Sequence, residues 1–127
     1  MDEPLNASVL ERVVQTYEQK DQGRHEFLEL EDLGVIHVRI DNPKGLHVRP
    51  STQVCATASK YSGLVYVVKK GSSEFIDAKS ILSLMMLAAD FGNELYFVYD
   101  LSDPEKAREN AAEIRVLFEG NFGILGV

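Results

Sequence analysis

His47 and Arg49 stand two residues apart in GLHVRP (45–50), between a glycine and a proline. An imidazole offers a nucleophilic ring nitrogen, and a guanidinium offers a planar fork of cationic donors that matches phosphate or carboxylate oxygens. The stretch follows an alternating apolar run, VIHVRI (35–40), and precedes an alanine- and polar-rich segment, STQVCATASKYSG (51–63), so it lies where the chain leaves a strand and enters a helix. Gly45 supplies a backbone able to turn with positive φ, and Pro50 fits the first helical position, where its missing N–H costs nothing. The helix start presents unpaired N–H groups to an anion, and Arg49 adds charge beside the same imidazole. That combination suits a histidine that receives a phosphoryl group, because both cationic elements stabilise the charged product. On these cues alone, a histidine that caps the helix or stands solvated is the alternative.

Ser80 opens a second stretch, SILSLMMLAADFG (80–92), which reads as a short apolar helix with that serine as its N-cap. Leu84, Leu87 and Ala88 suffice for an inward stripe, which leaves Ile81, Leu82 and Met85 as an exposed apolar patch. Cys55 is the only cysteine, so neither an intrachain disulfide nor a cysteine-based metal cluster is expected, and it reads as a small buried residue. His25 and His37 carry no motif. They read as a solvated linker residue and an outward strand residue, with no metal role.

The elements that must position these residues follow from periodicity. Strands are expected over 35–40, 64–70, 73–78 and 94–101, and helices from Pro50 to Gly63, over 80–92 and over 102–120, in the order β-α-β-β-α-β-α. Three short amphipathic helices cover one face of a four-stranded, mostly antiparallel sheet, giving a two-layer α+β sandwich. The opposite face is expected to be polar, carrying His37 and Arg39. Before this domain, Val9, Leu10, Val13, Val14 and Tyr17 fall on one stripe of a helix, with Ser8 and Glu11 as a capping box and Gly23 as its stop. EFLELEDLG then reads as a charged connection able to pack back on the domain or on another chain. The chain therefore divides into an N-terminal extension with an amphipathic helix (1–32), a cored domain (33–120) and an apolar tail, NFGILGV (121–127).

Composition limits the function classes. At 127 residues the chain suits one cored domain with an appendage. A net charge of −7 argues against nucleic acid or an anionic membrane surface as partner. No apolar run reaches the ~20 residues of a membrane span, and the acidic start MDEPLNAS is unlike a secretory signal, so a cytoplasmic protein without membrane insertion is expected.

GLHVRP and DAKSILSLMMLAA, in this order and spacing within the β-α-β-β-α-β-α pattern, resemble the HPr family over residues 33 to 119. HPr proteins are the histidine-containing phosphocarriers of the phosphoenolpyruvate:sugar phosphotransferase system. The resemblance implies an open-faced β-sandwich in which His47 is phosphorylated at Nδ1 by phospho-enzyme I and passes the group to the IIA component of a sugar permease. It implies that Arg49 stabilises the charge and that Gly45, Pro50 and Ser51 shape a turn whose helix N–H groups hold the phosphoryl oxygens. It further implies regulatory phosphorylation of Ser80 where HPr kinase/phosphorylase is present, and a docking surface at Ile81, Leu82 and Met85. No metal or cofactor follows from it, and the carrier would be consumed and regenerated stoichiometrically rather than act as an enzyme. Three departures stand out: about 32 residues precede the first expected strand, Ser83 stands where many members have glycine, and the tail is apolar. They leave a second reading, a regulatory binding module whose Ser80 phosphorylation controls a transcription factor or enzyme.

Overall fold

Ile36, Val38 and Ile40, the even-numbered residues of VIHVRI, are buried against helices, as their alternation predicts. In the computed structural model, which describes residues 6–124, they belong to or directly follow the second of five strands. The chain runs α1 (Ala7–Asp21), β1 (Leu28–Leu30), β2 (Leu33–Arg39), α2 (Val48–Ala58), β3 (Val65–Lys69), β4 (Ile76–Asp77), α3 (Ile81–Met86), β5 (Glu94–Asp100) and α4 (Pro104–Glu119). A 3-10 turn at Asn121–Gly123 follows, and the last residues of the apolar tail lie outside the described ones. The sheet order is β1-β2-β5-β3-β4, every pair antiparallel. This is the expected α+β sandwich with one strand more than expected. The extra strand is β1, drawn from the segment read as a charged connection. It forms a hairpin with β2 through Glu31 and Asp32, both at positive φ, in the two-residue turn whose twist matches that of the strands.

One face of the sheet carries α2, α3 and α4. Val54, Ala58 and Tyr61 from the α2 region, Leu84 from α3, and Ala107, Ala111, Ile114 and Phe118 from α4 close over Ile36, Val38, Val67, Leu95, Phe97 and Tyr99. Among the described residues no helix is long and apolar enough to cross a membrane.

The opposite face overturns the expectation of a polar surface. Leu33, Val35, Val68, Tyr96 and Val98 form a second buried cluster with Leu10, Val13 and Tyr17 of α1. Apolar side chains on both sides of a strand must be covered on both sides, since each costs about 1.5–3 kcal/mol to leave in water, and α1 is the cover. Its N-cap is Asn6, whose side chain accepts from the Val9 N–H at 3.0 Å, and not Ser8. His37, expected to point to solvent, is only 8% exposed, and His25, expected to be solvated, stacks on it with ring centroids 4.3 Å apart.

α3 is shorter than expected. It ends at Met86, and Ala88, read as inward, is exposed with φ +55, while Ala89 takes the buried position.

Candidate functional site

The turn before α2 is held by backbone. The Gly45 N–H donates to the Asn42 carbonyl (3.1 Å), the buried Asn42 side chain donates back to the Gly45 carbonyl (2.7 Å), and the His47 N–H donates to that same oxygen (3.0 Å). Gly45 sits at φ +67, and a Cβ there would lie 2.5 Å from the Ala89 carbonyl oxygen and 2.8 Å from the Asp90 Cα. Leu46 N–H in turn donates to Ala89 O at 2.9 Å. The turn is thus sewn to the loop that follows α3, and only glycine permits so close an approach at that φ.

His47 is the N-cap of α2, and Pro50 is the third helical residue rather than the first. An N-cap side chain ordinarily accepts a hydrogen bond from the second or third N–H of its helix. Pro50 removes the third, and the His47 ring makes no capping bond. Ser51, buried, has both donors committed, its N–H to His47 O (3.0 Å) and its hydroxyl to Leu46 O (3.2 Å). Its role in this structure is to hold the turn. Among the described residues no acceptor engages the N–H groups of Val48 and Arg49. Nor, among the described residues, does any hydrogen bond or ion pair engage the exposed Arg49 guanidinium. The site therefore comprises a half-buried imidazole, two free amides at the positive end of a helix dipole, and a free guanidinium two residues on, which is the donor set of an anion site.

α3 lies along α2. The Cys55 thiol, in the last turns of α2, donates to the carbonyl of Lys79 (3.1 Å), and Leu46 at the other end of α2 contacts Ala89, so the two helices run in opposite directions. Lys79 Nζ is bonded to the carbonyls of Tyr61 and Gly63, both at 2.6 Å, beyond the end of α2. Ser80 is the N-cap of α3, its Oγ accepting from the Ser83 N–H at 3.1 Å. Ile81, Leu82 and Met85 are exposed, Leu82 by 67%, while Leu84 and Leu87 face the core. Two residues that the sequence reading passed over extend this surface: Met86, 75% exposed, and Val48, 58% exposed, between His47 and Arg49. The signal for Val48 was available, since the first residue of a helix flanked by two polar neighbours has no inward stripe to join.

Comparison with known proteins agrees with this architecture. Residues 36–118 match the family model described as the PTS HPr component phosphorylation site. The chain is 36% identical over 86 residues to the phosphocarrier protein HPr of Neisseria meningitidis, covering 68% of this chain and 91% of that one. It is 32% identical over 85 residues to the phosphocarrier protein HPr of Treponema pallidum, covering 67% and 91% respectively. Among solved structures, a crystal structure of HPr-C-His from Thermoanaerobacter tengcongensis superposes with a TM-score of 0.60 at 32% identity, over 72% of this chain and 97% of that one. With the strand order, the helix layer and the GLHVRP turn all in place, the chain belongs to the HPr family of phosphocarrier proteins of the phosphotransferase system.

Proposed function

We propose that His47 accepts a phosphoryl group from phospho-enzyme I and delivers it to the IIA component of a sugar permease. The observation that carries this reading is the uncommitted donor set around an uncommitted ring: among the described residues the Val48 and Arg49 amides and the Arg49 guanidinium face no acceptor, and the His47 ring makes no capping bond. In the forward step a ring nitrogen, Nδ1 by family resemblance, attacks phosphorus. An N–P bond forms and the donor's bond to phosphorus breaks, its electron pair leaving with the donor. Delivery to the next acceptor repeats the displacement with phospho-His47 as the donor. Such transfer needs positioning and charge stabilisation rather than covalent help from further side chains. No group on the site is altered after a full cycle, so the protein acts as a stoichiometric carrier and a substrate of transferases.

Ile81, Leu82, Met85, Met86 and Val48 form the surface on which both partners dock, because they are large, apolar and exposed on two helices that lie side by side. Ser80 is the regulatory phosphorylation site for HPr kinase/phosphorylase. A phosphate of about −1.5 to −2 charge at this N-cap is compatible with α3 while placing negative charge at the edge of the docking surface.

Incubation with enzyme I and phosphoenolpyruvate tests the central step. Acid-labile phosphate is expected on the unaltered chain and none on His47→Ala. Arg49→Ala should accept the group about ten-fold more slowly, the loss of one charge-assisted hydrogen bond of roughly 1.5–3 kcal/mol being partly replaced by water. Full labelling of His47→Ala would refute the assignment.

A further inference from the structure

Outside the turn at His47, the densest chemistry lies where the extension meets the sheet. Nδ1 of His25, in the connection between α1 and β1, is 2.6 Å from Nδ1 of His37 on β2, and the rings are stacked with an interplanar angle of 21°. The other nitrogen of His37, Nε2, is 2.7 Å from Glu94 Oε1 on β5. A carboxylate accepts, so Nε2 of His37 carries the hydrogen and, in the neutral ring, its Nδ1 is the acceptor. Nδ1 of His25 is then the donor, and the His37 carbonyl oxygen 3.3 Å away shares the same hydrogen.

Charged groups from every neighbouring element face this pair. From α1, the Asp21 carboxylate accepts the backbone N–H groups of His25 (2.7 Å) and Glu26 (2.8 Å), and the Tyr17 hydroxyl donates to the Glu26 carbonyl (2.6 Å). From β5, the Tyr96 ring lies 4.9 Å from His37 and its hydroxyl is bonded to Glu18 of α1. Lys70, after β3, is 3.8 Å from Glu94. From α4, Arg115 donates to the His25 carbonyl (2.9 Å), and together with Glu119 and the Arg39–Asp41 pair of the β2 end it lines the hollow beside the two rings.

We propose that the contact between His25 and His37 is an acid-released clasp that fastens the N-terminal extension over the second face of the sheet. The contact tolerates a proton on His25 Nε2, because Nδ1–H of that ring still donates. With His25 so protonated, it does not tolerate a further proton on His37 Nδ1, which would set two N–H groups against each other across 2.6 Å. Burial and the neighbouring His25 hold His37 below the ordinary imidazole range, outweighing the opposing pull of Glu94. The folded state therefore binds fewer protons than the unfolded chain. The clasp is fully stabilising above the ordinary imidazole value of about 6.5 and is lost as pH falls through the lowered value of His37. Opening frees the connection that tethers α1, and with it the apolar residues Leu33, Val35, Val68, Tyr96 and Val98 that α1 covers.

Amide hydrogen exchange of the full chain at pH 7.5 and 5.5, corrected for the intrinsic rate at each pH, reads the clasp directly. Protection of residues 7–30 should fall roughly ten-fold at pH 5.5, a single proton changing the opening equilibrium about ten-fold per pH unit between the ordinary imidazole value of the open state and the lowered value of the folded one. Protection of α4 should stay constant. In His37→Gln, which has no titrating proton, and in His25→Gln, whose amide can turn its oxygen toward a protonated His37, the two pH values should give equal protection. If His37→Gln does not fold, His25→Gln decides alone. Equal protection at both pH values in the unaltered chain, an equal acid loss in α4, or an undiminished acid loss in His25→Gln would overturn the proposal.

Discussion

Gly45 shows how tightly a single residue constrains the site. A methyl group there meets the Ala89 carbonyl oxygen at 2.5 Å, in backbone that cannot rotate away, and the φ of +67 is itself costly for any L side chain. Gly45→Ala is expected to lower stability by about 1–3 kcal/mol, measured as a fall in the urea midpoint, and to slow phosphorylation by displacing the amides of Val48 and Arg49. Unchanged stability would show that the turn can move away from the loop after α3. At this scale the sequence was informative where function compresses residues into one stretch. His47, Arg49 and Gly45 are legible together in six residues because one helix start must present them all. His25 and His37 were illegible for the opposite reason: twelve positions apart, on a connection and a strand, they share no period, and only the folding back of the extension brings their nitrogens together. Pro50 was placed two positions early, because a proline is tolerated anywhere in the first turn, where no N–H has an intrahelical acceptor.

α3 is the element on which the proposed docking and the proposed regulation meet. Six residues long, it turns Leu84 inward and leaves Ile81, Leu82, Met85 and Met86 outside. Leu82→Ala should raise the KM for transfer to a IIA partner several-fold with little change in thermal stability, since an exposed side chain contributes to an interface and little to the core. An unchanged KM would remove Leu82 from the docking surface. With HPr kinase/phosphorylase and ATP, acid-stable label should appear on the unaltered chain and vanish in Ser80→Ala, which also loses an N-cap contribution of about 1 kcal/mol. Label retained in that variant would place the regulatory phosphate elsewhere. The exposed trio could be read from sequence because a helix on one sheet can bury only one stripe. The end of α3 could not, because Ala88 adopts φ +55 for a tertiary reason, the need of Ala89 to reach the Leu46 N–H.

At the scale of the molecule, the sheet is a wall with two faces that carry separate cores. The α2–α4 layer carries the proposed phosphocarrier site, and α1 covers the face that an open-faced sandwich would leave to water. The second core had a signal in ELYFVYD, where the residues between Glu94 and Asp100 are all buried, an uninterrupted apolar run of the kind that strands covered on both sides display. Alternation in VIHVRI masked it, because His37 and Arg39 made the second face look wet. The first 35 residues also lie outside the matched family model, so the extension had to be read from its own stripe of Leu10, Val13 and Tyr17. Separation of the two cores predicts that phosphorylation is felt on one side only. The most direct measurement follows 31P and 1H–15N spectra of the labelled protein before and after phosphorylation by enzyme I and phosphoenolpyruvate. A single phosphohistidine resonance is expected, with large shifts for the amides of Val48 and Arg49, neighbours in Gly45–Ser51 following and α1 unmoved. A phosphohistidine at any other position, or amides of Val48 and Arg49 that do not respond, would contradict the proposed assignment to His47.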